Sequence, residues 1–265
     1  MRYRISYWCE SHVGCVRRTN QDNYICNGKY MECGSAEGSL CGEAFSDAAP
    51  VFGVFDGLGG EERGEVAAYI AAKSAAALTI EKDAAQELSD FCQGVNIRIC
   101  EYARENALSS AGTTAAMLAF APSEIMLCNI GDSKAFLFSG GRLEQISHDH
   151  LCSAPYGTKP PLLQNLGVPP EEMGIEPYLS RGGYADGDVY LICSDGLTDM
   201  LGSDEIAQEL KLRRRENAAR GLLRMALERG GTDNISIIVC AVEQDNFLRS
   251  AFRKIGRRWQ GCHGN

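Results

Sequence analysis

A chain of 265 residues, 45% hydrophobic and 23% charged, is long enough to bury a full core as one large domain. Its net charge of −9 is uneven. Residues 246–265 carry five basic side chains and no acid, which leaves 21 basic against 35 acidic residues, or −14, in the rest. So acidic a body excludes nucleic-acid binding by bulk electrostatics. No apolar run reaches the ~18 residues of a membrane span, and Met1–Ser6 lacks the apolar core of a secretory leader. A cytoplasmic protein is expected.

In chain order, Tyr3 to Cys9 reads as a short strand, followed by the polar connection from Gly14 to Tyr24. Arg17 and Arg18 lie there, and arginine's planar fork of donors suits phosphate oxygens. Residues 33–49, with Gly34, Gly38 and Gly42, read as a surface loop. Val51 to Phe55 is an apolar run that stops at Asp56, followed by Gly57, Gly59 and Gly60 and a helical stretch from Glu61 to Ile80. A carboxylate at a strand end beside bare backbone suits a hard cation with oxygen ligands. A second helix is predicted over 83–106, with Leu88, Phe91, Cys92, Val95, Ile99 and Tyr102 on one stripe.

The Asp56 pattern recurs. Ile125 to Ile130 closes on Asp132, and Val189 to Cys193 closes on Asp195. At Asp233 the aspartate stands at the entrance of the run Ile235 to Val242, the end that an antiparallel neighbour places beside the other exits. Between these runs come a predicted hairpin over 135–146 and a proline-rich excursion over 149–187. Helices are expected over 204–212, with Ser203 as N-cap, and over 216–229. Cys128, Cys193 and Cys240 fall inside apolar runs and are expected as free thiols. Two Cys/His clusters, at 9–15 and 148–152, lack the paired spacing of a zinc site.

Four strand-end aspartates gathered at one end of an antiparallel sheet would repel one another unless a cation neutralised them. An all-oxygen set favours Mg²⁺ or Mn²⁺ over zinc. Two such ions activate a water and polarise a phosphoryl oxygen, which fits hydrolysis of a phosphate monoester.

Arg17-x-x-Asn20-Gln21-Asp22, Asp56-Gly57-Leu58-Gly59-Gly60, Gly112-Thr113-Thr114, Gly131-Asp132-Ser133, Ser194-Asp195-Gly196-Leu197-Thr198-Asp199 and Asp233-Asn234 occur in the order of the metal-dependent Ser/Thr protein phosphatases of type 2C. The resemblance covers residues 5–243 and is nearest to compact bacterial members. It implies an α+β fold, a four-layer α-β-β-α sandwich of two antiparallel sheets flanked by helices. Residues 1–245 would form the catalytic domain and 246–265 a basic tail. By position, Asp56, Asp195 and Asp233 would bind one Mn²⁺ or Mg²⁺, Asp56 and the Gly57 carbonyl a second, and Asp132 a third, weaker ion. Arg17 would bind the substrate phosphate, with Asp56 and Asp195 the other catalytic residues. Gln21, Asp22 and Asn234 would support the ligands from behind. The implied activity is hydrolysis of phosphoserine and phosphothreonine in proteins, the targets of a Ser/Thr kinase, by a monomeric signalling enzyme.

Four departures stand out. Gln21 replaces a frequent Glu, Leu58 a histidine or methionine, and Lys134 an arginine. Only eleven residues separate His150 from Leu162, where relatives carry a longer flap. Gln21 and the trimmed flap motivate the rival reading, a pseudophosphatase that uses the fold as a regulatory binding module. In the tail, Phe247, Leu248, Ala251, Phe252, Ile255 and Trp259 fall at helical spacing among basic residues. Such a helix suits an anionic membrane or an acidic partner, or docks on the chain's own acidic body.

Overall fold

The computed structural model describes residues 1–58, 63–122, 124–153, 160–212 and 215–245. The turn glycines Gly59 and Gly60 and the whole basic tail lie outside the described residues, so the expectations placed on them have no structural counterpart here.

The described strands form two six-stranded antiparallel sheets. In the first, the order is β4 (Glu37–Phe45), β1 (Tyr3–His12), β12 (Ile235–Gln244), β11 (Val189–Cys193), β8 (Lys134–Ser139) and β9 (Arg142–Gln145). In the second it is β10 (Tyr178–Gly182), β7 (Ile125–Ile130), β6 (Ala115–Phe120), β5 (Val51–Asp56), β2 (Asp22–Cys26) and β3 (Lys29–Tyr30). Helices α1 (Gly64–Ala75) and α2 (Ala84–Glu105) cover the second sheet; α3 (Asp195–Thr198), α4 (Ser203–Leu212) and α5 (Arg215–Glu228) cover the first. This is the four-layer α+β sandwich expected.

Each central strand is apolar on both faces because each face meets a different layer. On β5, Phe52 and Val54 enter the core between the sheets while Val51 and Phe55 pack toward α1 and α2. On β12, Ile238, Cys240 and Val242 face the other sheet, and Ile235, Ile237 and Val239 face α3 to α5. A strand buried twice reads as a continuous apolar run rather than an alternation. Helix α1 lies close to its sheet through Ala67, Ala68, Ala71, Ala72 and Ala75, all buried. The Asp83 side chain caps α2, accepting from Ala85 N at 3.1 Å and Gln86 N at 3.4 Å.

The loop expected over 33–49 is largely strand β4, paired along β1. Its glycines are packing devices. A Cβ on Gly42 would lie 2.4 Å from the Tyr7 hydroxyl, and one on Gly38 would lie 2.8 Å from Met31 Sδ. Strand β10 likewise lies inside the proline-rich excursion, pairing with β7 at the sheet edge. Strand β1 runs three residues beyond Cys9, and Ser203 is the first residue of α4 rather than its cap. Helix α1 ends at Ala75, where Ala77 and Leu78 donate back three residues and tighten the last turn. No helix among the described residues is long and apolar enough to cross a membrane.

Candidate metal centre

Antiparallel pairing brings the strand-end aspartates to one end of the sandwich. Asp22 opens β2 directly opposite Asp56, which closes β5. Asp132 sits in the turn after β7, Asp195 opens α3 after β11, and Asp233 precedes β12. Asp56, Asp132, Asp195 and Asp233 line one cavity of about 370 Å³ together with Arg17, Gln21, Gly57, Leu58, Thr114, Pro160 and Leu162. Of the site residues singled out in the sequence, Arg17, Gln21, Asp56, Gly57, Asp132, Asp195 and Asp233 line this cavity and Asp22 and Asn234 support it from behind, whereas Arg18 is exposed and does not line it.

The supports of each aspartate are explicit. Asp56 is gripped by its backbone: Thr114 N and Thr113 Oγ1 donate to its carbonyl at 2.8 and 2.9 Å, and its N–H donates to Thr114 Oγ1 at 3.2 Å. Thr114 Oγ1 also meets Ser133 Oγ at 2.7 Å, joining Asp56 to the Asp132 turn. Gly57 must be glycine, since a Cβ there would lie 2.3 Å from the Gly64 carbonyl oxygen and 2.5 Å from that of Gln21. Asn234 ties three loop groups: Gln21 N donates to its Oδ1 at 2.8 Å, and its Nδ2 donates to Val13 O at 2.8 Å and Thr19 O at 3.0 Å. Arg17 lies on the loop so held and donates from Nη2 to Asp233 Oδ2 at 2.7 Å.

Gly196 lets α3 start against the strand entrance. A Cβ at this position would stand 2.0 Å from the Asn234 carbonyl oxygen, which is backbone and cannot turn aside. Gly196→Ala is therefore expected to cost at least about 2 kcal/mol by overpacking and to spread Asp195 from Asp233; urea unfolding checks the first effect.

Behind the carboxylates runs a closed ring of buried hydrogen bonds that sequence reading missed. Asn20 Nδ2 donates to Ser11 Oγ at 3.0 Å, Ser11 Oγ meets Ser236 Oγ at 2.9 Å, and Ser236 N donates to Ser194 Oγ at 2.9 Å. Ser194 Oγ donates to Asp22 Oδ2 at 2.8 Å, and Asp22 N returns to Asn20 Oδ1 at 3.2 Å. The ring joins the two sheets through residues that are all nearly inaccessible. Its one sequence signal is that Asn20, Asp22 and Ser194 sit within the quoted motifs, which do not show that they join.

The electrostatics are those of crowded acids. Burial pushes the Asp22 carboxyl up to about 7 against the opposing pull of Ser194, with Asp195 and Asp233 adding to the rise. Burial raises Asp56 well above the ordinary carboxylate range, followed by the charges of Asp22, Asp195, Asp132 and Asp233. Asp22 Oδ1 is buried without a hydrogen-bond partner. Among the described residues no three His, Cys, Asp or Glu side chains form a ready-made metal cage. Asp233 is turned toward Arg17 and accepts from the Asn234 N–H at 2.8 Å. The donors are nonetheless all oxygen and mutually repelling, a set that a hard divalent cation would satisfy.

An antiparallel double sandwich with an oxygen-donor pocket and one arginine at its end defines the class of protein. A protein-family model for protein phosphatase 2C matches residues 35–228, and the chain belongs to that family. It is 31% identical over 222 residues to the serine/threonine phosphatase stp of Listeria monocytogenes, covering 75% of this chain and 86% of that one. It is 29% identical over 258 residues to the serine/threonine protein phosphatase PstP of Mycobacterium tuberculosis, covering 90% of this chain. The match spans only 45% of the length of PstP. The catalytic domain of PstP, solved in complex with two manganese ions, superposes with a TM-score of 0.73 at 27% identity, covering 91% of this chain and all of that domain.

Proposed function

We propose that this chain hydrolyses phosphoserine and phosphothreonine in proteins by direct attack of water at a two-metal centre of Mn²⁺ or Mg²⁺. The observation that carries the reading is the convergence of Asp56, Asp132, Asp195 and Asp233, from four separate segments, with Arg17 on one cavity. Residues 1–245 are the catalytic unit in this reading. Asp56, Asp195 and Asp233 would hold one ion, Asp56 and the Gly57 carbonyl the second, and Asp132 a third, weaker one. When bound, such ions polarise a phosphoryl oxygen and lower the pKa of a water.

The chain's own residues do the rest. Arg17 has five donors in a planar fork, and turning the fork, with the Nη2 that now donates to Asp233, toward the phosphate frees the Asp233 carboxylate for an ion. Asn234 fixes the loop on which that exchange occurs. Leu58, Pro160 and Leu162 form an apolar side of the cavity and limit the water that reaches it. Asp22 sits behind the ligands, held by Ser194. Kinase-phosphorylated proteins are the substrates, a monomer is the working form, and the described cysteines, all free thiols, suit a reducing cytoplasm.

Hydrolysis of p-nitrophenyl phosphate and of a phosphothreonine peptide, with and without Mn²⁺, tests the proposal. Metal-dependent turnover well above an Asp195→Asn control supports it. Absence of such turnover favours the pseudophosphatase reading, to which Gln21 on the cavity wall lends its weight.

A further inference from the structure

The turn that carries Asp132 is held by the segment that follows β9. Three consecutive residues after β9 lock this turn and the strand leading into it. The Asn129 side chain pairs with the His148 backbone, Nδ2 to His148 O at 2.7 Å and His148 N to Oδ1 at 3.0 Å. Lys134 Nζ forms an ion pair with Asp149 Oδ2. At Gly131, immediately before Asp132, both backbone groups go to one residue: His150 N donates to Gly131 O at 3.0 Å, and Gly131 N donates to His150 Nδ1 at 3.2 Å.

Gly131 has little room to move. Its φ is 99°, in the left-handed region, and a Cβ on it would lie 2.6 Å from Thr114 Cγ2. Thr114 therefore bounds the turn on one side and His150 on the other. The His150 carbonyl in turn accepts from Leu163 N at 2.8 Å, and Leu151 bridges to Leu162 on the cavity wall. His150 thus stands between the Asp132 turn and the Leu162–Leu163 segment of the cavity wall. A strand ladder would need only its backbone; the ring bond to Gly131 N–H is additional and specific to a side chain with an acceptor at that distance.

We propose that His150 is a positioning residue for Asp132, acting through Nδ1 as a hydrogen-bond acceptor and so setting the affinity of the weakest divalent-ion site. The ring is the Nε2–H tautomer, because a nitrogen that accepts carries no proton. The proposal rests on the assignment of Asp132 to a divalent ion. It separates from that assignment because metal binding is read directly, not only through turnover.

Calorimetric Mn²⁺ titration of wild type, His150→Phe and His150→Asn is the test, with p-nitrophenyl phosphate kinetics alongside. Phenylalanine keeps a ring without the acceptor; asparagine places Oδ1 where Nδ1 stands. The weakest Mn²⁺ event is expected to weaken about 10- to 100-fold in His150→Phe. Its kcat should fall at sub-saturating Mn²⁺ while KM stays within about twofold, and His150→Asn should recover most of both. Equal defects in the two variants, or wild-type Mn²⁺ binding by His150→Phe, would overturn the proposal. Should the phenylalanine variant not fold, ¹⁵N spectra of ring-labelled wild type decide: an unprotonated Nδ1 supports it and a protonated Nδ1 refutes it. A wild type that binds Mn²⁺ without turning over substrate would sink the phosphatase reading and leave this comparison intact.

Discussion

Asp56→Asn is expected to abolish turnover while making the protein harder to unfold in the presence of a chelator. The two effects share one cause. Burial and the charges of Asp22, Asp195, Asp132 and Asp233 all disfavour an ionised carboxylate at this position. A neutral amide of nearly the same shape removes that repulsion and keeps the backbone bonds to Thr113 and Thr114, which do not involve the side chain. The gain is on the order of 1 kcal/mol, or roughly 2–4 °C in Tm for a chain of this size. Mn²⁺ should raise the wild-type Tm by mass action and leave the variant nearly unmoved, because Asp56 would touch both principal ions. Loss of at least about 10³ in kcat corresponds to ~4 kcal/mol of transition-state stabilisation. Thermal melts in EDTA and in Mn²⁺, with a turnover assay, check all three. A variant less stable than wild type in EDTA would mean that the Asp56 carboxylate serves the fold rather than an ion.

The parts of this site that could be read beforehand are those where two physical demands coincide on adjacent residues. A strand buried on both faces must be apolar throughout, so a carboxylate closing it stands out, as at Asp56, Asp132 and Asp195. Asp233 follows by antiparallel logic. What stayed hidden lacks such a contrast. Ser11, Ser194 and Ser236 complete a buried ring with Asn20 and Asp22, yet a buried serine and an exposed one look the same in a sequence. The glycines of β4 suggested a loop, although Gly42 is small because Tyr7 needs the space. Strand β10 pairs at an edge with much of its surface exposed, so no periodicity marks it. The pairing of Arg17 with Asp233, and of His150 with Gly131, crosses 216 and 19 residues; nothing local in either segment announces it.

Asn234→Ala should damage stability and activity together, because one amide serves three backbone groups of the loop that carries Arg17. Its loss leaves the Val13 and Thr19 carbonyls and the Gln21 N–H without their partner. Asn234 is only 4% exposed, so water replaces those bonds poorly. With unsatisfied buried groups costing about 1–3 kcal/mol each and partial relaxation of the loop, a total near 3 kcal/mol is expected. A shift of the Arg17 loop by about 1 Å would cost on the order of 10²-fold in kcat/KM. Asn234→Asp separates hydrogen bonding from volume. It retains an acceptor for Gln21 N–H but sets a charged oxygen against two carbonyls that had received donors, beside an already crowded Asp233. It should therefore be at least as damaging as alanine, in both urea unfolding and Mn²⁺-dependent turnover. If the aspartate variant behaved like wild type, the amide would be filling space, and the Arg17 loop would owe its position to something else.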